Sequence, residues 1–363
     1  MPRVPRYASA RNYVRPGYED VSRLSQWIRY RILSEEECVA TVLEHHSAKT
    51  AEKFLQEILW RTYWKGWLEL RPSVWFEYLS DITNLTAEYD QHELYQRAIT
   101  GNTPLSFFNE WVSELTAAGY LHNHTRMWFA SVWIFTLQLP WQLGARFMYQ
   151  HLLDADPASN TLSWRWVAGL HTPGKIYVAR PDNISTYSEG RWRPKDSELT
   201  TNPPSPSVRE TPALSDLPPA TSDTPRSGSL ILLHDDDLSA DLSVELGGTD
   251  LHYCLFTPTV RESSSAKATF VSALRDDTSK RCKATLITSA KDIAGLAQTL
   301  DTSQIHAMIP RVGLECEDLR TLTMELCNLG ISTVCHRRVW DERLMPKARG
   351  GFFKFWEHVK PLL

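Results

Sequence analysis

The chain has 363 residues, with Lys+Arg 39 against Asp+Glu 43 and a net charge of −4. Hydrophobic residues make up 42% and charged residues 23%, which excludes a globally disordered chain. A pI near 6.3 excludes a basic coat over the whole surface, so contact with a polyanion must use a local patch. At about 150 residues per domain the length predicts two domains. Six cysteines with no CxxC spacing exclude a disulfide scaffold. Cys316, Cys327 and Cys335 are too irregular for a metal set and read as buried thiols in a reducing, cytoplasmic compartment. No apolar run of secretory length follows Arg3 and Arg6. The uncharged stretch Met127 to Ala145 is broken by Gln138, Pro140 and Gln142, so it reads as core rather than a membrane span.

The first block is helical. Ser34 and Glu37 form a capping-box pair ahead of Val39, Val42 and Leu43. Phe54, Ile58, Leu59, Tyr63, Trp67 and Leu70 keep helical spacing until Pro72 stops the run. The turn Gly101-Asn102-Thr103-Pro104 precedes a helix carrying Phe107, Phe108, Trp111 and Leu115. Of the 14 tryptophans, all but Trp340 and Trp356 lie before residue 193. That density fits an aromatic pocket, stacking platform or electron path, and equally a Trp-rich helical core. Residues 197–228, with Pro212, Pro218, Pro219 and Pro225 among Ser, Thr and Asp, form a Pro/Ser/Thr-rich linker.

Beyond it the pattern changes to short apolar runs: Leu230 to Leu233, Tyr253 to Phe256, Ala284 to Ile287, Ile305 to Ile309 and Ile331 to Val334. They alternate with amphipathic segments near 262–275, 290–300 and 315–329, which predicts a small parallel sheet flanked by helices. No GxGxxG or P-loop motif follows any of these runs. The expected organisation is therefore α plus α/β, with a helical domain over 1–196, the linker over 197–228 and an α/β domain over 229–363.

The densest chemical constellation joins His122-Asn123-His124-Thr125-Arg126-Met127 to Asp154-Ala155-Asp156 and Ser159-Asn160. Arg126 and the two carboxylates flank apolar helices, where unpaired charge is costly, so they should pair with each other or with a bound polar cofactor. Two carboxylates could instead ligate a metal, but without a third ligand at suitable spacing no metal is assigned. His122 and His124 could act as acid–base groups or as satisfied structural histidines.

These runs, together with Trp141 and Trp164-Arg165-Trp166, resemble the flavin-binding helical domain of the cryptochrome/photolyase family. Val21-Ser22-Arg23-Leu24-Ser25 is similar to its TSxLS phosphate-binding stretch, and Glu57-Ile58-Leu59-Trp60-Arg61 to its E-[LI]-x-W-R motif. The resemblance covers about residues 7–192. It implies FAD as cofactor, with Ser22, Arg23, Leu24 and Ser25 at the pyrophosphate and Arg61 facing the cofactor. It places an Arg126–Asp154 ion pair beside the isoalloxazine, Asp156 near the sugar and Asn160 at flavin N5.

The resemblance further implies light-driven splitting of cyclobutane pyrimidine dimers by an electron from excited reduced flavin. The dimer would be flipped from UV-damaged DNA, with a preference for single strands, by a monomeric enzyme. Trp60 and Trp166 would wall the flipped dimer, Glu57 and Asn123 would bond its edges, and Met127 would complete the pocket. Trp164 would stand next to the flavin and Trp141 would relay the electron, while the usual third tryptophan falls at Glu88, with Tyr89 beside it and Trp128, Trp133 or Trp192 as other candidates.

Several positions depart from the family pattern. Val21 replaces a Thr, Thr125 a frequent Arg, and Thr161-Leu162-Ser163 an Asn-Gly-Gly. These leave a blue-light receptor as the alternative. Lys175, Arg180, Arg191, Arg193 and Lys195 form either a phosphate-contacting strip or a solvated face. Residues 229–363 resemble a shortened antenna domain placed after the flavin domain, with Phe352-Phe353-Lys354-Phe355-Trp356 similar to its connecting segment, and the resemblance does not identify a second chromophore.

Overall fold

The computed structural model describes residues 3–172, 174–204 and 211–363. The helical part begins with α1 (Tyr7–Ala10), α2 (Ser25–Arg29) and α3 (Glu35–His45). It continues through α4 (Ala48–Glu69), α5 (Ser73–Tyr89), α6 (Glu93–Ile99) and α7 (Ser106–Ala118), then α8 (Asn123–Ser131), α9 (Trp141–His151), α10 (Pro157–Val167) and α11 (Pro181–Tyr187). Each start has a local cause. The expected capping box closes α3, with the Glu37 N–H donating to Ser34 Oγ at 3.1 Å. Ser47 caps α4, and Asp156 caps α10 with Pro157 in the first turn.

The 22-residue α4 is the axis of this part. Its predicted stripe, Phe54, Ile58, Leu59, Tyr63 and Trp67, is buried in one core with Trp75, Trp111, Trp128 and Trp133. The indoles bring their donors to partners: Trp128 Nε1 donates to Asn183 Oδ1 and Trp133 Nε1 to the Pro140 carbonyl, both at 2.9 Å. The apolar stretch after Met127 is α8, a π-helical turn (Val132–Thr136) and α9, all packed into that core. Among the described residues no helix is long and apolar enough to cross a membrane.

The sheet has the order β3-β2-β1-β4-β5 and is parallel throughout. Its strands are β1 (Leu230–Leu233), β2 (His252–Phe256), β3 (Thr285–Ile287), β4 (Gln304–Met308) and β5 (Ser332–His336). Leu230 and Leu232 meet α13 (Ala290–Thr299) and α14 (Leu314–Asn328) on one face. On the other face, Ile231 and Leu233 meet α12 (Ser265–Cys282) together with Tyr30 and Ile32 from the helical part.

Three differences from the sequence reading have physical reasons. Residues from α15 (Val339–Leu344) through α16 (Phe352–Val359), expected with the sheet, pack against α4 instead. Both sheet faces are already covered, and the apolar stripe of α16 (Phe352, Phe355, Trp356 and Val359) needs another partner. Gly66 makes room on α4, since a Cβ there would lie 2.9 Å from Met345 Cα. Of the three cysteines read as buried, Cys327 is exposed and Cys316 and Cys335 are half-buried. Cys327 falls one residue past the core stripe Leu319, Leu322 and Leu326 of α14. The linker is largely exposed coil, but it is pinned. Ser215 N–H donates to the Leu70 carbonyl at 2.8 Å, and Thr221 forms a parallel bridge with His336 that covers the β5 edge. Its positions 205–210 lie outside the described residues.

The two parts are joined by the loop that leaves β1, His234-Asp235-Asp236-Asp237. Asp236 Oδ1 accepts from Arg29 at 2.8 Å and Asp236 Oδ2 from Arg311 at 2.9 Å. Asp237 pairs with Arg31 and Arg338, and Asp235 with Arg275. Removing one partner of such a buried cluster leaves charge uncompensated, at a cost of about 3–5 kcal/mol. We expect Asp236→Ala to lose about that much in denaturant unfolding; an unchanged midpoint would show that the cluster relaxes without it.

Candidate functional site

A cavity of about 760 Å³ opens between α4, α8, α10 and the segment before α2. That size lies inside the range of about 300–1,000 Å³ typical of ligand pockets. Helical spacing delivers its walls. Positions 57, 60 and 61 of α4 share one face, as do 123, 126, 127 and 130 of α8. Helix α10 presents Ser159, Asn160, Ser163, Trp164, Trp166 and Val167. The predicted Ser22, Arg23, Leu24, Ser25, Glu57, Trp60, Arg61, Asn123, Arg126, Met127, Asp154, Asp156, Asn160, Trp164 and Trp166 all border this one space. Trp141 does not line it; its indole stacks on Tyr78 at 5.6 Å.

The polar end is built from ion pairs. Arg126 Nη2 donates to Asp154 Oδ2 at 2.9 Å, and its Nε is held by the Leu121 carbonyl at 2.9 Å. Arg61 pairs with Asp156, whose Oδ1 also accepts the Ser159 N–H at 2.7 Å. Burial pushes both carboxyls up, but Arg126 at Asp154 and Arg61 at Asp156 outweigh it and hold them below the ordinary range. Asp154 is 3% exposed, and its Oδ1 finds no protein partner, nor does Ser159 Oγ. Such orphaned acceptors and hydroxyls in a cavity wall suit a ligand that donates to them. Asn160 Nδ2 donates to the Ala145 carbonyl at 2.8 Å, which fixes the amide with hydrogen-bonding capacity to spare. Arg23 sits in the left-handed region (φ 56°) with its guanidinium 5.2 Å over the Tyr120 ring.

The other end is aromatic, with Trp60, Trp64, Trp164 and Trp166 all in the wall. Glu57 pairs with Arg11; burial pushes its carboxyl up against the pull of that arginine. A polar end with two ionised carboxylates and an aromatic end fit the FAD that the resemblance implies.

One ring series leaves the site, and a second stands apart from it. Trp164 has Trp133 as a neighbour at 6.3 Å, and Tyr95 and Tyr89 follow at 6.0 and 6.4 Å, ending at a half-buried phenol. Gly144 permits the first step, because a Cβ there would fall 2.3 Å from Trp164 Cη2. The second series runs from Trp141 through Tyr78 to Trp75, with the Tyr78 and Trp75 rings 5.3 Å apart.

Sequence reasoning left His122 open between two roles. Its Nδ1 accepts the His124 N–H at 3.1 Å and caps α8, so the proton sits on Nε2, which is buried beside the cavity without a protein partner. Burial, helped by His124 and Arg126, holds its pKa at about 4. The readable signal was its place immediately before the helix that carries Arg126. Phe353, from the far end of the chain, also borders the cavity, and no local pattern predicted that. The basic strip is partly neutralised, with Arg180 paired to Asp182 and Arg191 to Glu110 and Glu114.

Two outcomes follow from this geometry. Arg126→Ala strands the buried Asp154 carboxylate; with Arg126 itself partly exposed, the loss should lie near or below the low end of about 3–5 kcal/mol, read by denaturant unfolding. Unfolded histidine takes its proton near pH 6.5, whereas folded His122 takes it only near 4. Stability is therefore undiminished above pH 6.5 and declines as pH falls towards 4. His122→Asn, which keeps a capping acceptor, should flatten that decline in thermal melts; an identical pH profile would assign it to other groups.

The family profile described as the FAD binding domain of DNA photolyase matches residues 54–190. A deoxyribodipyrimidine photo-lyase of Vibrio cholerae is 28% identical over 182 residues, 48% of this chain and 38% of that protein. A cryptochrome DASH of Idiomarina loihiensis is 28% identical over 170 residues, 45% of this chain and 37% of its own length. A solved cryptochrome structure from Synechocystis sp. PCC6803 aligns with a TM-score of 0.44 and 22% identity, covering 51% of this chain and 40% of that one. The chain thus spans about two-fifths of the length of the curated relatives it matches. Residues 54–190 thus match the FAD binding domain of DNA photolyase, and the helical part that contains them is similar to photolyase and cryptochrome DASH relatives.

Proposed function

We propose that this protein repairs cyclobutane pyrimidine dimers in DNA under blue light. The carrying observation is that Glu57, Trp60, Asn123, Met127 and Trp166 border the same cavity as Arg126, Asp154 and Asn160. Bound and reduced, FAD supplies an excited electron donor and accepts the electron back. The residues around it supply position. Ser22 and Ser25 would hold the phosphates, the Arg126–Asp154 and Arg61–Asp156 pairs would set the polar end, and Asn160, its amide fixed on the Ala145 carbonyl, would face the ring.

Trp60 and Trp166 give apolar walls for a flipped dimer, where each aromatic contact is worth about 1–3 kcal/mol. Glu57, kept less acidic by burial, and Asn123 offer hydrogen bonds to the pyrimidine edges. Arg180 and Arg191 direct their charge to protein carboxylates, which favours a short single strand over a long duplex contact. Trp164 is the proposed gate for refilling the flavin with electrons, with the Trp133–Tyr95–Tyr89 series behind it.

A receptor function is the second reading, favoured by Thr161-Leu162-Ser163 following Asn160 and by the partial neutralisation of the basic strip. The deciding experiment illuminates chemically reduced protein with an irradiated oligothymidine. Loss of dimers supports repair, and intact dimers with flavin bound and reduced support the receptor. Trp164→Phe should slow photoreduction at least tenfold while leaving repair by chemically reduced protein in place; unchanged photoreduction would remove Trp164 from the path.

A further inference from the structure

We propose that Phe353 is a third stacking platform of the site, receiving an unstacked base next to the lesion on the damaged strand. This rests on the repair reading above. Ten large apolar side chains are exposed among the described residues, and Phe353, 66% exposed, is the one of them that borders the cavity. Helix α16 buries Phe352, Phe355, Trp356 and Val359 against the helical core and turns Phe353 outward.

The ring is held on a rigid mount. The Phe352 ring lies on Trp60 at 3.8 Å with 8° between planes, and Phe353 meets Phe352 edge-on at 5.7 Å. Tyr63 Oη donates to the Gly350 carbonyl at 2.8 Å and Arg71 Nη2 to the Arg349 carbonyl at 2.7 Å, so two α4-side contacts fix the turn before α16. Trp60 and Phe353 thus both border the cavity and are braced through the buried Phe352 ring between them. Cations accompany these rings: Lys53 borders the cavity, and Lys354 is exposed beside Phe353. A rigid aromatic surface with flanking cations is what unpaired nucleotides bind, because every base has a face to stack and every link has a phosphate.

The test measures binding of an irradiated oligothymidine carrying 2-aminopurine beside the dimer, by anisotropy and by 2-aminopurine emission, with FAD-loaded full-length protein. Phe353→Ala should weaken binding about tenfold and release the quenching of 2-aminopurine, while Phe353→Trp restores both. Flavin absorbance and melting temperature should not move in either variant, and Phe76→Ala, an exposed phenylalanine outside the cavity, should bind as wild type. Equal binding and quenching by wild type and Phe353→Ala would overturn this inference alone. Failure of the wild type to bind irradiated strands would overturn the repair reading together with it.

Discussion

One buried guanidinium connects the chemistry of this molecule to its architecture. Arg29, 1% exposed, donates to the carbonyl of Ala155, to Asp236 at the end of β1 and to Glu315 on α14. Ala155 lies between Asp154 and Asp156, the two carboxylates of the cavity's polar end, and Arg29 ends the short helix that begins at Ser25. The α/β part therefore holds the segments on both sides of the cofactor cavity. Buried charge of this kind contributes little net stability against an apolar alternative, but it tolerates one register only.

This arrangement also bears on what the sheet does. Ligands of open α/β sheets bind outside the carboxyl ends of the strands, where the strand order reverses. Here that crevice, at the end of β1, is filled by Asp235, Asp236 and Asp237 with their arginines. The sheet acts on the cavity through these contacts, while α16, from beyond the sheet, adds Phe353 to its wall and braces Trp60 from behind with Phe352.

The site itself divides by electrostatics. At one end, two carboxylates are kept ionised by arginines; at the other, indoles stand beside a glutamate whose ionisation burial opposes. The first end suits the donors of a flavin, and the second suits flat, weakly hydrated rings. Tryptophan serves both purposes that its density allowed: Trp111, Trp128 and Trp133 are core, while Trp60, Trp64, Trp164 and Trp166 are wall.

Much of this was readable from the chain alone. Helical periodicity and caps located α3, α4 and α7, and apolar runs located the strands to within two residues at each end. Those features depend on neighbours within a turn or a strand, where local sterics and hydrogen bonding decide the outcome. The rest depended on groups far apart in sequence. Neither the seat of α16 on α4, nor the pairing of Arg29 with Asp236 across 207 positions, nor the place of Phe353 at the cavity mouth leaves a local trace. An apolar stripe or a buried charge states that a partner is required, and only the folded chain, by filling or leaving open each competing surface, selects which one.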